Sequence, residues 1–435
     1  MHASVASLTE SQRRYYRSEN LSSNLARLNR DATITAMATA ADLRPTFTRS
    51  LVIQPFSVSR EFDLLVACCT IESPTERIRT MLSRALSWER LLHLADHHRV
   101  IPLVYRALSA FPDLLPVNAQ AALRSRYQEN ARKALWFTGE LLRILGYFES
   151  VGIKALAYKG PALAETLYGE VTERQYSDLD ILIRREDVPK AKAALLAAGH
   201  ACYPELREQE EPAYVASGCG YVFHTAAGRN LLDLQWRIVP RFYSIDFDVA
   251  GFLDRSDEII VGGHPVRTLC AEDLLVVLCV HAAKHAWVQL SWLCDIAQLV
   301  NSAQLDWNAI QQEVQRLGIE RIVNVNLLLA YKLLEMPLPS VIGARVIEDP
   351  STADLADEIL PIIKHSAHYE TESAAYFRLM LRLRERWQDR ARFLSRLIFT
   401  PSVSEWNAVR LPKSLQAVYR AVRLSRLVKR LAVSL

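Results

Sequence analysis

Residues 158–183 read YKGPALAETLYGEVTERQYSDLDILI. The last seven, SDLDILI, alternate as a β-strand does. Leu179, Ile181 and Ile183 fall on one face, and Asp178 and Asp180 on the other. Two carboxylates that close repel each other. The pair is tolerable at a wet strand edge, or where a divalent cation compensates it, and carboxylate oxygens are the hard ligands that Mg²⁺ prefers. These seven residues alone leave both readings open.

The neighbouring segments place the pair in a small α+β unit. IKALAY (153–158) reads as a short buried strand. PALAETLYG (161–169) reads as a helix with Pro in its first turn and Gly at its end, and EDVPKAKAALLAAGH (186–200) as another helix. YVFHTAAGRNLLDLQW (221–236) predicts a hairpin turning near Gly228, and EIIVGGHPVRTL (258–269) a second turning at Gly262-Gly263. In LLDLQW, Asp233 faces away from Leu232 and Leu234, so a third carboxylate can join the first two from a neighbouring strand. Between the first strand and its helix, Gly160 lets backbone amides approach a polyphosphate while the helix start adds its positive end. Lys159 or Arg174 can neutralise phosphate oxygens there. Each also has a plainer reading, since a loop lysine is commonly just solvated and Arg174 can pair with Glu170 or Glu173.

Around this unit the pattern is helical. WERLLHLADHHRVIPLVYRAL (88–108) and ALWFTGELLRILGYFESVG (134–152) carry apolar residues at three- and four-residue spacing. His93, His97 and His98 lie in the first of them, with solvated or capping roles preferred over metal binding. Helices return from Ala271 through EDLLVVLCVHAAKHAWVQLSWLCDIAQLV, WNAIQQEVQRLG and RIVNVNLLLAYKLLEM, until Pro337 and Pro339 end the bundle. AYFRLMLRLRERWQDRARFLSRLIF and LQAVYRAVRLSRLVKRLAV are basic amphipathic helices. The expected organisation is a disordered extension at 1–58, an N-terminal helical region at 59–150, the α+β core at 151–270, a helical bundle at 271–340 and a basic helical region at 341–435.

A chain of 435 residues with a hydrophobic fraction of 50% has the composition of a globular protein of two or three packed units. No basic-then-apolar leader and no bilayer-length apolar run is present, so a soluble, cytoplasmic protein is expected. The seven cysteines (Cys68, Cys69, Cys202, Cys219, Cys270, Cys279 and Cys294) include no C-x-x-C pair. That argues against both a zinc knuckle and a disulfide framework, and buried free thiols are the preferred reading. Residues 376–435 hold twelve arginines and two lysines against three acidic residues, although the net charge of the whole chain is only +4.

The order KGPALAETLYG, R, SDLDILI and LLDLQWR resembles the DNA polymerase beta-like nucleotidyltransferase superfamily, and within it an uncharacterised bacterial nucleotidyltransferase branch. The likeness extends over about residues 60–435, and the three acidic residues are its specific part. The resemblance implies a mixed β-sheet core flanked by N-terminal and C-terminal helical regions. By the same resemblance, Asp178, Asp180 and Asp233 hold Mg²⁺ (or Mn²⁺) and are catalytic, and Gly160 lies at the nucleotide. The implied reaction moves NMP from an NTP to a small-molecule, sugar or peptide acceptor. Two departures stand out. The superfamily's turn reads Gly-Gly or Gly-Ser where this chain has Lys159-Gly160-Pro161, and Pro161 has no amide hydrogen to donate to a phosphate. The branch carries His where this chain has Gln235.

A second constellation is HAAKHAW…WLCDIA. His281 and His285 are four apart on an expected helix, with Lys284 beside them and Asp295 on the next turn or helix. The absence of an H-E-x-x-H glutamate excludes the metalloprotease pattern. A cleft-lining helix with Lys284 or His285 near a phosphate is preferred over a metal pair or simple packing, and Trp287 and Trp292 are expected in the core. The rival to catalysis is a binding protein that kept the fold, or one whose basic C-terminal helices dock nucleic acid or anionic membrane. Nucleic acid is not the expected partner, because arginine stems commonly cover a core. The sequence does not specify the acceptor, the preferred NTP or the oligomeric state.

Overall fold

Strand SDLDILI lies inside a sheet rather than at its edge. In the computed structural model, which describes residues 59–72, 74–365, 373–401, 405, 409 and 418–433, the strands are β1 (Ala155–Ala157), β2 (Leu179–Ile183), β3 (Ala201–Tyr203), β4 (Gly220–His224) and β5 (Asn230–Gln235). They form one sheet in the order β1-β2-β5-β4-β3. β2 runs parallel to β5, and every other pairing is antiparallel. β6 (Asp257–Val261) and β7 (His264–Thr268) form a separate hairpin through Gly262 and Gly263, both at positive φ. Both expected hairpins are present. The extension expected at 1–58 lies outside the described residues.

The first helices are α1 (Arg60–Cys69), α2 (Thr75–Leu82), α3 (Trp88–His97), α4 (Ile101–Leu108) and the long α5 (Val117–Ser150). Among and after the strands come α6 (Pro161–Tyr168), α7 (Val188–Ala197), α8 (Glu211–Ser217) and α9 (Val249–Asp254). Then follow α10 (Ala271–Lys284), α11 (Ser291–Ser302), α12 (Trp307–Leu317), α13 (Glu320–Leu334), α14 (Gly343–Glu348), α15 (Pro350–Lys364), α16 (Ala374–Arg382), α17 (Trp387–Phe399) and α18 (Tyr419–Val433). Among the described residues no helix is long and apolar enough to cross a membrane. The architecture is a mixed sheet with helical flanks, an α+β fold.

Alternation along the strands separates two cores. Leu179, Ile181 and Ile183 of β2 join Leu232 and Leu234 of β5 and Phe137, Leu141, Ile144 and Phe148 of α5 in one. Leu156, Tyr158 and Leu182 point the other way, into the core built by α1, α3, α4 and α10 to α13. Each fully buried Leu or Ile here contributes about 1.5–3 kcal/mol of transfer free energy. The α5 stripe explains that helix, since its buried positions from Ala134 onward alternate three- and four-residue steps. The carboxylate face of β2 therefore turns toward the helical core, so the helices flanking the sheet supply whatever surrounds Asp180.

Most described arginines of the basic C-terminal helices have partners within the chain. Arg384 is buried over the Phe393 ring at 4.2 Å and donates to the Met380 and Tyr243 carbonyls. Arg396 pairs with Asp246 at 2.8 Å, Arg382 with Glu358, and Arg423 with Glu405 at 3.2 Å. The described cysteines are free thiols, and Cys68, Cys69, Cys279 and Cys294 are buried. β3 and α8 are among the elements that escaped the sequence reading. β3 is three residues with no fully buried side chain, and α8 is seven residues with none, so neither carries an apolar period.

His98 ties the helical regions together. It follows α3, its Nδ1 accepts from the Leu290 amide at 3.2 Å, and its carbonyl accepts from the Ser291 amide at 3.2 Å. Burial, with His97 as a second cause, pushes its imidazole down to about 3. Between the ordinary 6.5 and that value the unfolded chain binds a proton that the folded chain refuses, so stability falls as pH drops through this window. The slope from this residue is about 1.4 kcal/mol per pH unit. His98→Asn keeps a side-chain acceptor and cannot titrate. Urea unfolding at a series of pH values is expected to show the slope reduced by about that amount between roughly pH 6 and pH 4, and parallel pH profiles for parent and variant would reject the assignment.

Candidate active site

The parallel pairing of β2 with β5 sets Asp180 directly beside Asp233. Neighbouring residues in register point to the same face, and adjacent strands lie about 4.8 Å apart. Asp178 precedes β2 by one residue and is half-buried, whereas Asp180 is only 7% exposed. Asp180 has direct partners: its Oδ1 accepts from Lys159 Nζ at 2.9 Å and from Gln235 Nε2 at 3.2 Å. Tyr158 OH donates to Gln235 Oε1 at 2.6 Å, which orients that amide. The departure to Gln235 thus places an amide donor on the carboxylate.

Asp178 and Asp233 accept from no described cation within ion-pair distance. Burial pushes the Asp233 carboxyl well above the usual range, and Asp178 and Asp180 add to it. Burial raises Asp178 as well, followed by the repulsion of Asp180, while Arg99, Lys159 and Arg174 pull it back. The three carboxyls therefore share one strained electrostatic environment. Among the described residues no group of three or more His, Cys, Asp or Glu side chains is disposed to hold a metal ion as the side chains stand.

The turn before α6 works as the sequence requires. Gly160 has φ +60°, and a β-carbon there would stand 3.3 Å from the Asp178 carbonyl oxygen and 3.6 Å from Leu179 Cδ2. Only glycine allows this turn to lie so close to the start of β2. Lys159 is buried, with its ammonium 5.1 Å from the centre of the Tyr158 ring, and is consumed by Asp180 rather than solvated.

Arg174, expected at the phosphates or on Glu170 or Glu173, sits instead on Asp295 of α11. Its Nε donates at 3.0 Å to Oδ1 and its Nη2 at 2.9 Å to Oδ2, while Tyr168 OH donates to Oδ1 at 3.0 Å. Both members of the pair are almost wholly buried. Burial opposes the charge on Arg174, but Asp295 more than offsets it and holds the guanidinium firmly protonated. Around it, Asn130 Nδ2 of α5 donates to the Thr172 carbonyl at 2.9 Å and Tyr127 OH donates to Glu173 at 2.9 Å. The Ile101 amide donates to Gln175 Oε1 at 2.7 Å. The loop that carries Asp178 is thus clamped by α4, α5 and α11.

Lys284 and His285 stand at the end of α10. Lys284 ends α10 and acts electrostatically on Asp233, while its carbonyl accepts from Tyr376 OH of α16 at 2.8 Å. His285 lies past the helix as its C-cap, not on a continuous helical face, because Ala286 and Trp287 both adopt left-handed backbone. Trp287 is fully buried and its Nε1 donates to Asn326 Oδ1 at 2.7 Å, which anchors this turn. The His281 and His285 rings remain 4.7 Å apart, and each lies within 5.4 Å of Trp292. Burial pushes both imidazoles well below 6.5; Lys159 is the next cause for His281 and Lys284 for His285. Both are therefore neutral at neutral pH.

The sequence reading missed Arg99. It lies between α3 and α4 with φ 55°, and it lowers the Asp178 carboxyl more than Lys159 does. No local spacing marks it, because the turn reaches Asp178 only through tertiary packing.

The Arg174–Asp295 pair is testable as structure. Arg174→Met or Asp295→Leu alone strands a buried charge and is expected to cost about 3–5 kcal/mol in chemical denaturation. The double replacement is expected to recover much of that loss, with a coupling energy of about 2–3 kcal/mol. A coupling near zero would return Arg174 to the set of cations available to a ligand.

No curated protein matches the chain. Among solved structures, the solution structure of the antibiotic-resistance factor ANT(2'')-Ia matches with 17% sequence identity and a TM-score of 0.26, over 43% of this chain and 88% of that one. The family model described as "Uncharacterised nucleotidyltransferase" matches residues 84–335, which include the Lys-Gly turn, the three aspartates, Arg99 and the Lys284 turn. With more than half of its length matched, the chain belongs to this uncharacterised nucleotidyltransferase family.

Proposed function

We propose that the protein is a divalent-metal-dependent nucleotidyltransferase that moves NMP from an NTP to a small-molecule, sugar or peptide acceptor. The observation that carries the reading is the register of Asp180 against Asp233, with Asp178 adjoining, in a chain of this family. The donor set suits Mg²⁺ or Mn²⁺ chemically: three carboxylates, two of them raised by burial and mutual repulsion, lack the positive charge that such an ion carries. Asp178, Asp180 and Asp233 would hold it, with Asp180 exchanging its Lys159 contact. A bound ion supplies Lewis-acid stabilisation of the phosphoryl oxygens and of the attacking oxygen.

The residues of the chain do the rest. Asp233 takes the proton of the acceptor hydroxyl, whose oxygen forms a bond to the α-phosphorus as the bond to the bridging oxygen breaks and pyrophosphate leaves with the electron pair. Lys159, once free of Asp180, lies beside the Gly160 turn where it can meet phosphate oxygens, and Lys284, which acts electrostatically on Asp233, can add a second cation. His285 is neutral and can donate or accept one hydrogen bond without changing the charge of the site.

The test separates metal binding from structural charge. Asp178→Asn with Asp233→Asn removes repulsion without stranding Lys159, so the thermal midpoint is expected to stay or rise. Mg-NTP affinity by calorimetry and transfer of labelled nucleotide to cell extract are expected to fall by more than the roughly 10–100-fold that contacts outside the ligand shell are worth. Unchanged Mg-NTP affinity together with earlier unfolding would make the two charges structural and end this reading.

A further inference from the structure

Four cations act on the three carboxylates, and the structure leaves two of them uncommitted. Lys159 is on Asp180 and Arg174 on Asp295. The two histidines are neutral and add no charge. Arg99 and Lys284 remain, and neither side chain makes a hydrogen bond or ion pair with any described residue.

Arg99 is held with unusual care for a side chain without a partner. Its backbone is left-handed at φ 55°, a conformation disfavoured for arginine. The turn is locked on both sides: the amides of Leu290 and Ser291 donate to His98 just before it, and the Ile101 amide just after it donates to Gln175 in the loop that leads to Asp178. These bonds tie the turn to the start of α11 on one side and, through Gln175, to the loop that carries Asp178 on the other. Its half-buried guanidinium is also the strongest cationic influence on Asp178. On the other side of the site the phosphate-facing turn is short of donors, since Pro161 has no amide hydrogen. A guanidinium offers five donors in a fixed fork that matches phosphate oxygens.

We propose that Arg99, contributed by the helical region outside the sheet, grips the polyphosphate of the donor nucleotide. This rests on the nucleotidyltransferase reading for the identity of the ligand, but not for its chemistry, which is that of an inorganic polyphosphate. Arg99 holds the leaving pyrophosphate portion while the aspartates act at the α-phosphorus, so its loss affects nucleotide affinity more than acceptor affinity.

Calorimetry with Mg-tripolyphosphate and with Mg-NTP tests this on the full chain. Arg99→Asn removes the charge and keeps a residue that tolerates left-handed backbone. It is expected to weaken both ligands at least tenfold with an unchanged thermal midpoint. Arg99→Lys, which keeps the charge and loses the fork, is expected to fall between it and the parent, and Arg90→Ala on the exposed face of α3 to bind as the parent does. Tripolyphosphate binding by Arg99→Asn within twofold of the parent would overturn the proposal while leaving nucleotidyl transfer intact. Arg99-dependent tripolyphosphate binding without transfer from any NTP would overturn the functional reading and leave this one standing. A parent that binds neither ligand at millimolar concentration would overturn both.

Discussion

Parallel pairing of β2 and β5 forces two carboxylates side by side on a face turned toward a hydrophobic core, and the rest of the site answers that constraint. Like charges at adjacent-strand spacing in a partly desolvated setting cannot all ionise without compensation. Asp180 is met directly by Lys159 and Gln235, while Asp178 and Asp233 are met from farther away by Arg99, Lys159, Arg174 and Lys284. These cations come from four different segments: the α3–α4 turn, the turn into α6, the loop before β2 and the end of α10. Each must be fixed in place for the balance to hold. The bonds from Ile101 to Gln175, from Leu290 to His98 and from Tyr376 to Lys284 do so. The flanking helices are part of the site's electrostatics as well as its packing.

Backbone strain gathers at the same place. Arg99, Ala286 and Trp287 are three non-glycine residues in left-handed conformation that line or support the site. Each such residue costs on the order of 1–3 kcal/mol and persists only where surrounding structure dictates it. For Trp287 the compensation is explicit, in complete burial of the indole and its bond to Asn326, whose own amide donates to the Cys279 and Ile322 carbonyls. The chain uses a rigid, strained turn to end α10 at Lys284 instead of letting the helix run on through His285.

Much of this was legible because it is local. The alternation in SDLDILI and LLDLQW, the glycines at 160, 228, 262 and 263, and the apolar stripe of α5 each record a backbone geometry that neighbouring residues enforce. Long-range pairing is not recorded that way. Arg174 has acidic residues beside it in sequence, yet its partner is Asp295, because burial between α6 and α11 rewards a bidentate pair that no exposed glutamate can match. His285 looked like the next position of a helical face, but the left-handed turn that follows it answers to Asn326 on α13. Arg99 carried no signal, since its neighbours in sequence are helix ends and its neighbours in space are loops. β3 and α8 were invisible for a simpler reason: they are too short to show a period.

The neutral histidines follow from the same balance. His281 and His285 lie near Lys159 and Lys284, and desolvation first, with these charges adding to it, lowers both imidazoles well below their ordinary value. A protonated histidine here would add a charge that changes with pH near neutrality. By excluding it, the site leaves its positive charge to lysine and arginine. The charge available to an incoming anion then depends on geometry, on which cation is already paired, more than on pH. Lys159 and Arg174 are paired within the fold, whereas the side chains of Arg99 and Lys284 make no hydrogen bond or ion pair with any described residue.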